Sequence, residues 1–115
     1  MSLESTLQSV LLTVAPGKAF QDIAPQGSTA PFIVWSLISK NTNNSLQGAS
    51  NRQNSHIQVD AYAATPTARK TLADAILVTM QSSGLSYIEM QAQNLYEKET
   101  KLFRSLTTFS VWSLG

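Results

Sequence analysis

The sequence predicts an α+β domain: a mostly antiparallel sheet of four to five strands, two helices packed on one face, and a long polar loop between two strands. Three observations carry this. Apolar residues recur at helical spacing in two segments far apart in the chain. Several other segments alternate with period two and are rich in β-branched and aromatic residues. Between two of those lies the stretch NTNNSLQGASNRQN, residues 41–54, which is almost entirely amide and hydroxyl.

Leu3, Leu7, Val10, Leu11 and Val14 share one helical face, which predicts a helix over about 3–14. Ser2 is its expected N-cap, Glu4 suits the positive end of the helix dipole, and Pro16 with Gly17 ends it. A short edge strand or an extended segment is expected near Phe20–Ile23, followed by a loop through Pro25 and Gly27. The run PFIVWSLISK, 31–40, is apolar on both faces near Val34–Trp35, so it reads as a central strand covered on two sides. Pro31 stands at its first residue, where a strand tolerates proline.

After the polar loop, SHIQVDAYAA alternates cleanly. Ile57, Val59 and Ala61 face one way, and Gln58, Asp60 and Tyr62 the other. In TPTARKTLADAILVTMQSSG, Thr65 is the N-cap, Pro66 the first helical residue, and Gly84 the left-handed terminator. Leu72, Ile76 and Met80 form the buried stripe of this second helix, while Arg69, Lys70 and Asp74 are expected on the solvent side. The last third predicts a hairpin of strands at about 86–96 and 102–113 joined by EKET, 97–100. Phe103, Thr107, Phe109 and Val111 take one face of its second strand; Leu102, Arg104, Leu106 and Trp112 take the other. There are no internal repeats, and 115 residues fit one domain, 1–115.

The totals narrow the function. Apolar residues make up 43%, enough for a core. Eight Lys+Arg against seven Asp+Glu give a net charge of +1, which offers no electrostatic case for nucleic acid or an anionic membrane. Few charges among many Ser, Thr, Asn and Gln suit a surface buried against protein partners. The absence of cysteine removes disulfides, thiolate metal sites and thiol nucleophiles. MSLESTLQSVLL has no basic leader and is not a signal peptide, and no apolar run approaches the roughly 18–20 residues of a membrane span. A product assembled in a cytosol is expected.

No reacting constellation stands out. His56 is the single histidine, has no Cys or second His to share a metal, and reads as a bystander on a polar strand face. Asp60 and Glu89, on neighbouring strands, are a weak candidate for a carboxylate pair. The five glycines are scattered, so there is no phosphate loop, and GASNR lacks the strand–turn–helix setting of a nucleophile elbow. YEKETKLFR, 96–104, mixes aromatics with Lys98, Lys101 and Arg104, but Glu97 and Glu99 cancel most of the charge; a solvated turn or a protein contact is expected there. Trp35 and Trp112 default to core, with Trp112 the better candidate for a subunit interface. No catalytic, cofactor-binding or metal-ligating residue is expected.

APFIVWSLIS, then LQGASNRQNSHIQVDAYAATPTARKTLADAI, then LYEKETKLFRSLTTFSVW, in that order and spacing, resemble the tail completion or tail terminator proteins of long-tailed bacteriophages. The resemblance runs from Leu3 to Trp112, with one departure at Thr107–Thr108, where a charged residue is expected before Phe109. It implies an α+β structural protein of the virion that caps the tail tube at its head-proximal end, after passing through the host cytoplasm. Its partners would be copies of itself, in a ring that is commonly hexameric, together with the tail tube protein and the head–tail connector. DNA would only pass through the lumen, and no membrane is involved.

Under that reading the loop 41–54 projects to reach a neighbour, the tube or the connector, becoming ordered on docking. Amides and hydroxyls suit this because they hydrogen-bond adaptably without the desolvation cost of charge. The residues expected at protein interfaces are Asn43, Asn44, Leu46, Gln47, Asn51 and Arg52 on the loop, Glu97, Lys98, Lys101 and Arg104 on the hairpin, and Trp112. Exposed sheet edges are a further means of pairing subunits. The alternative is a small non-catalytic regulatory or accessory binding domain acting as a monomer or dimer.

Overall fold

The structure, a computed structural model, describes residues 3–42 and 52–114. The chain runs α1 (Leu3–Val14), β1 (Ala19–Gln21), β2 (Phe32–Thr42), β3 (Arg52–Ala63), α2 (Pro66–Ser82), β4 (Ser86–Glu97) and β5 (Leu102–Leu114). The five strands form one sheet in the order β1-β2-β3-β5-β4. Only β1 is parallel to its neighbour; the other pairs are antiparallel. This is the expected α+β architecture with two helices on one face.

The helices form where their local chemistry says they should. Thr65 Oγ1 accepts the Ala68 N–H at 3.0 Å, Pro66 opens α2, and Gly84 takes φ +80° just past its end. Leu72, Ile76 and Met80 are buried along α2, as Leu7 and Leu11 are along α1. They meet Ile33 and Trp35 of β2, Ile57, Val59 and Ala61 of β3, and Phe109 and Val111 of β5 in one continuous core. A polar relay ties α1 to the sheet: Trp35 Nε1 donates to Gln8 Oε1 at 2.7 Å, and Gln8 Nε2 donates to the Ala19 carbonyl at 2.8 Å. The indole and amide are thereby satisfied where neither can reach bulk water freely.

Two expectations are corrected and one is refined. The loop expected at 41–54 is shorter at both ends, because β2 continues to Thr42 and β3 begins at Arg52, in register as Asn41↔Asn54 and Thr42↔Gln53. Polar residues accept strand geometry here because β5 pairs the other side of β3 as far as Arg52↔Leu114. Residues 43–51 lie outside the described residues. Second, both faces of β2 are buried near Val34–Trp35, as expected, but helices cover only the face of Ile33 and Trp35. On the opposite face Phe32 stacks on Tyr62 at 4.7 Å and 16°, and Val34 lies opposite Asp60. Third, Arg69 is not simply solvated: its guanidinium lies 5.5 Å from the Phe103 ring centre and Nη1 reaches the Leu95 carbonyl at 3.4 Å.

The molecule is elongated, with extents of 51 × 25 × 23 Å and a radius of gyration of 15.0 Å, against roughly 13 Å for a compact chain of this length. The helices sit over β1, β2, β3 and part of β5, which leaves β4 at the far margin as an arm.

Candidate interaction surfaces

The open face of the sheet carries a charged and aromatic cluster near the β4–β5 turn. Arg104, on β5, donates from Nη2 to Asp60 Oδ2 on β3 at 3.0 Å and lies 3.8 Å from Glu97 at the end of β4. Gln58 Nε2 donates to the same Asp60 oxygen at 3.0 Å, while Asp60 Oδ1 and Arg104 Nε are buried without partners. The guanidinium also sits 5.8 Å from the centre of the Tyr62 ring, so Phe32, Tyr62 and Arg104 form a continuous layer. Cross-strand register brings these groups together: Asp60 and Tyr62 alternate on β3, and Tyr62 pairs directly with Arg104.

The electrostatics follow from that packing. Burial pushes the Tyr62 phenol above its ordinary pKa; the Arg104 charge opposes this, and Asp60 and Glu97 add to it. For Arg104, burial works against the charge, but the hydrogen bond and charge of Asp60 outweigh it and hold the guanidinium more firmly protonated than usual. The Arg104–Asp60 ion pair thus braces β5 against β3.

The arm presents a different surface. Ile88, Met90, Leu95 and Tyr96 of β4 are exposed at 57%, 52%, 37% and 49%. Between α2 and β4 lies an open groove of about 630 Å³, lined by Arg69, Lys70 and Asp74 on the helix and by Glu89, Ala92 and Asn94 on the strand. Lys70 and Asp74 are already paired with each other at 3.0 Å on an exposed helix face.

Of the residues expected at interfaces, Glu97 and Arg104 meet in the cluster just described. Lys98 and Lys101 are exposed in the turn, where Lys101 adopts a left-handed φ of 59°. Glu97 closes β4 opposite Leu102 rather than opening the turn. Trp112 is half-buried on the open face, in register with Asn54 and Ser86. The backbone of Arg52 lies in β3; Asn43, Asn44, Leu46, Gln47 and Asn51 lie outside the described residues.

The weak carboxylate pair is not formed. Asp60 and Glu89 are separated by β5 and lie on opposite faces, because Glu89 is in register with Phe109 and Ile57 on the helix side. His56 lies mid-strand on β3, between Ser39 and Ser110. Among the described residues no group of three or more His, Asp or Glu is placed to hold a metal ion, and no helix is long and apolar enough to cross a membrane. Sequence reasoning missed the brace formed by Asp60, Tyr62 and Phe32, and the exposed apolar side chains of β4. The signal for the second lay in SYIEMQAQNLYE, whose apolar residues do not keep to one face of the strand.

The chain resembles a solved chain from the "Virion of native gene transfer agent (GTA) particle". The TM-score is 0.69 at 12% identity, covering 99% of this chain and 96% of the other, which establishes a shared fold. No curated protein matches the chain. The family model described as Tail completion protein gp17 matches residues 6–113. With all but the extreme termini matched, the chain belongs to the Tail completion protein gp17 family and is a structural protein of the phage tail.

Proposed function

We propose that this protein caps the phage tail tube as a homo-oligomeric ring, hexameric as the sequence resemblance implies, and joins the tube to the head connector. The observation that carries the reading is the family match over residues 6–113. The likeness to a chain of a gene transfer agent virion supports it, since that chain comes from an assembled particle of similar fold.

The physical design supports it too. Stopping a tube requires two unlike surfaces, one accepted by the last tube layer and one that accepts the connector and refuses more tube protein. A near-neutral chain with an open sheet face and an exposed apolar arm supplies contact surface without strong fields that would repel its own copies. Binding energy comes from burial of the arm and of Trp112, and the turn residues Lys98 and Lys101 set specificity at the rim. The uncharged residues Asn43, Asn44, Leu46, Gln47 and Asn51, with Arg52, meet the tube or connector. The ring sits at the head-proximal end of the tail after assembly in the host cytoplasm, and DNA passes through its lumen without being read.

Electron microscopy of particles made without this protein tests the reading. Headless tails or tails of abnormal length are expected; normal infectious particles in normal number overturn it.

A further inference from the structure

Among the described residues the sheet ends in two free edges, and they differ. At one end β1 covers only Ile33, Val34 and Trp35 of β2, leaving residues 36–42 of that strand as an edge. At the other end, among the described residues, no strand lies outside β4. Natural edges are usually shortened or guarded by lysine or proline. The β4 edge spans 12 residues and contains no Lys, Arg or Pro.

The two edges also match in height and chemistry. Leu37 on β2 is in register, through Ile57 and Phe109, with Glu89 on β4. Immediately beyond each of these residues the ladder is irregular, and the extra residue is a large exposed apolar one: Ile38 at 54% on β2 and Met90 at 52% on β4. The β2 edge segment SLISKNT carries Lys40 and no acid, whereas β4 carries Glu89 and Glu97 and no base.

We propose that β4 of one copy pairs with residues 36–42 of β2 in the next copy, so that the sheet continues from subunit to subunit. This rests on the ring reading above and names the contact that builds the ring. Within one copy, β2 and β5 run one way and β3 and β4 the other. Rotation about an axis along the strands preserves those directions, so β4 arrives antiparallel to the neighbouring β2. Pairing satisfies the unpaired backbone groups on both edges and buries Ile38 with Met90 and Ile88. The contact is heterologous, the kind that closes into rings; β4 against β4 would make an isologous dimer and set acid against acid.

The chain has no cysteine, so the introduced thiols are the only ones on this protein. Ile38→Cys, Met90→Cys and the double variant are incorporated into tails and treated with a short bismaleimide, which tolerates a small register difference. Both sites are exposed, so the fold is retained. The double variant is expected to give a ladder of covalent dimers, trimers and larger species, and each single variant none. Ile38→Cys combined with Val78→Cys, on an exposed face of α2, gives no ladder. Intact rings without a ladder, or dimers from Met90→Cys alone, overturn the edge pairing while leaving the ring standing. Tails that carry no ring of this protein overturn the ring reading itself.

Discussion

Ile76 on α2 is 3% exposed and Ile88 on β4 is 57% exposed, although both are isoleucines inside regular elements of one small protein. The first belongs to the region where α1 and α2 close over β2, β3 and β5; the second belongs to the arm. In the covered region the buried apolar side chains meet partners from another layer, and the Trp35 indole is hydrogen-bonded to Gln8. In the arm, apolar side chains face outward on a strand with one free edge. Stability is thus concentrated where the helices lie, and the arm keeps apolar surface that folding does not bury.

Substitutions can break or sharpen that contrast. The largest loss is expected from Phe109→Ala, at the centre of the core and edge-on to Tyr87 at 5.6 Å. About 3–5 kcal/mol should disappear in urea unfolding, and a change within about 0.5 kcal/mol would remove the distinction between the regions. Arg104→Ala comes next, at about 2–3 kcal/mol, because it strands Asp60, which is 6% exposed, without its cation. Replacing Asp60 and Arg104 together with leucine should recover most of that loss; if it does not, the pair is more than a brace.

Trp35→Phe keeps the ring volume near its original size but orphans Gln8 Oε1, and about 1–2 kcal/mol is expected. Ile88→Ser should move unfolding stability by less than about 0.5 kcal/mol, yet lower the yield of joined particles in a complementation assay. A normal yield would show that the arm is not contact surface.

The smallest effect is a pH dependence. Burial raises the folded-state pKa of Tyr62 above the unfolded value of about 10. Its contribution is therefore complete below pH 10 and is lost as pH rises through the folded value. Denaturation midpoints of Tyr62→Phe and the parent should converge with increasing alkalinity, and parallel curves would argue against the shift.

Much of this architecture was legible in the residues. The stripes Leu7–Leu11 and Leu72–Ile76–Met80, the Thr65–Pro66 start and the Gly84 stop all act within a few residues of themselves, so local chemistry suffices to find them. The hairpin was legible for the same reason. The brace was not: Asp60 and Arg104 lie 44 residues apart, and only the insertion of β5 beside β3 brings them together. Arg69 was placed in solvent because it is a charged residue off the Leu72–Ile76–Met80 stripe, while the aromatic ring beneath it comes from β5.

The residues alone settle which segments are helix and which are strand, because period and capping are local properties of the chain. They also settle that the surface is nearly neutral and free of thiols. Which strand of the last hairpin lies inside the sheet was decided in tertiary structure. Strand β5 can offer Ser105, Thr107, Phe109 and Val111 to the helix side without burying a charge, whereas β4 would have to bury Glu89. That choice leaves β4 as the outer edge, and with it the apolar arm.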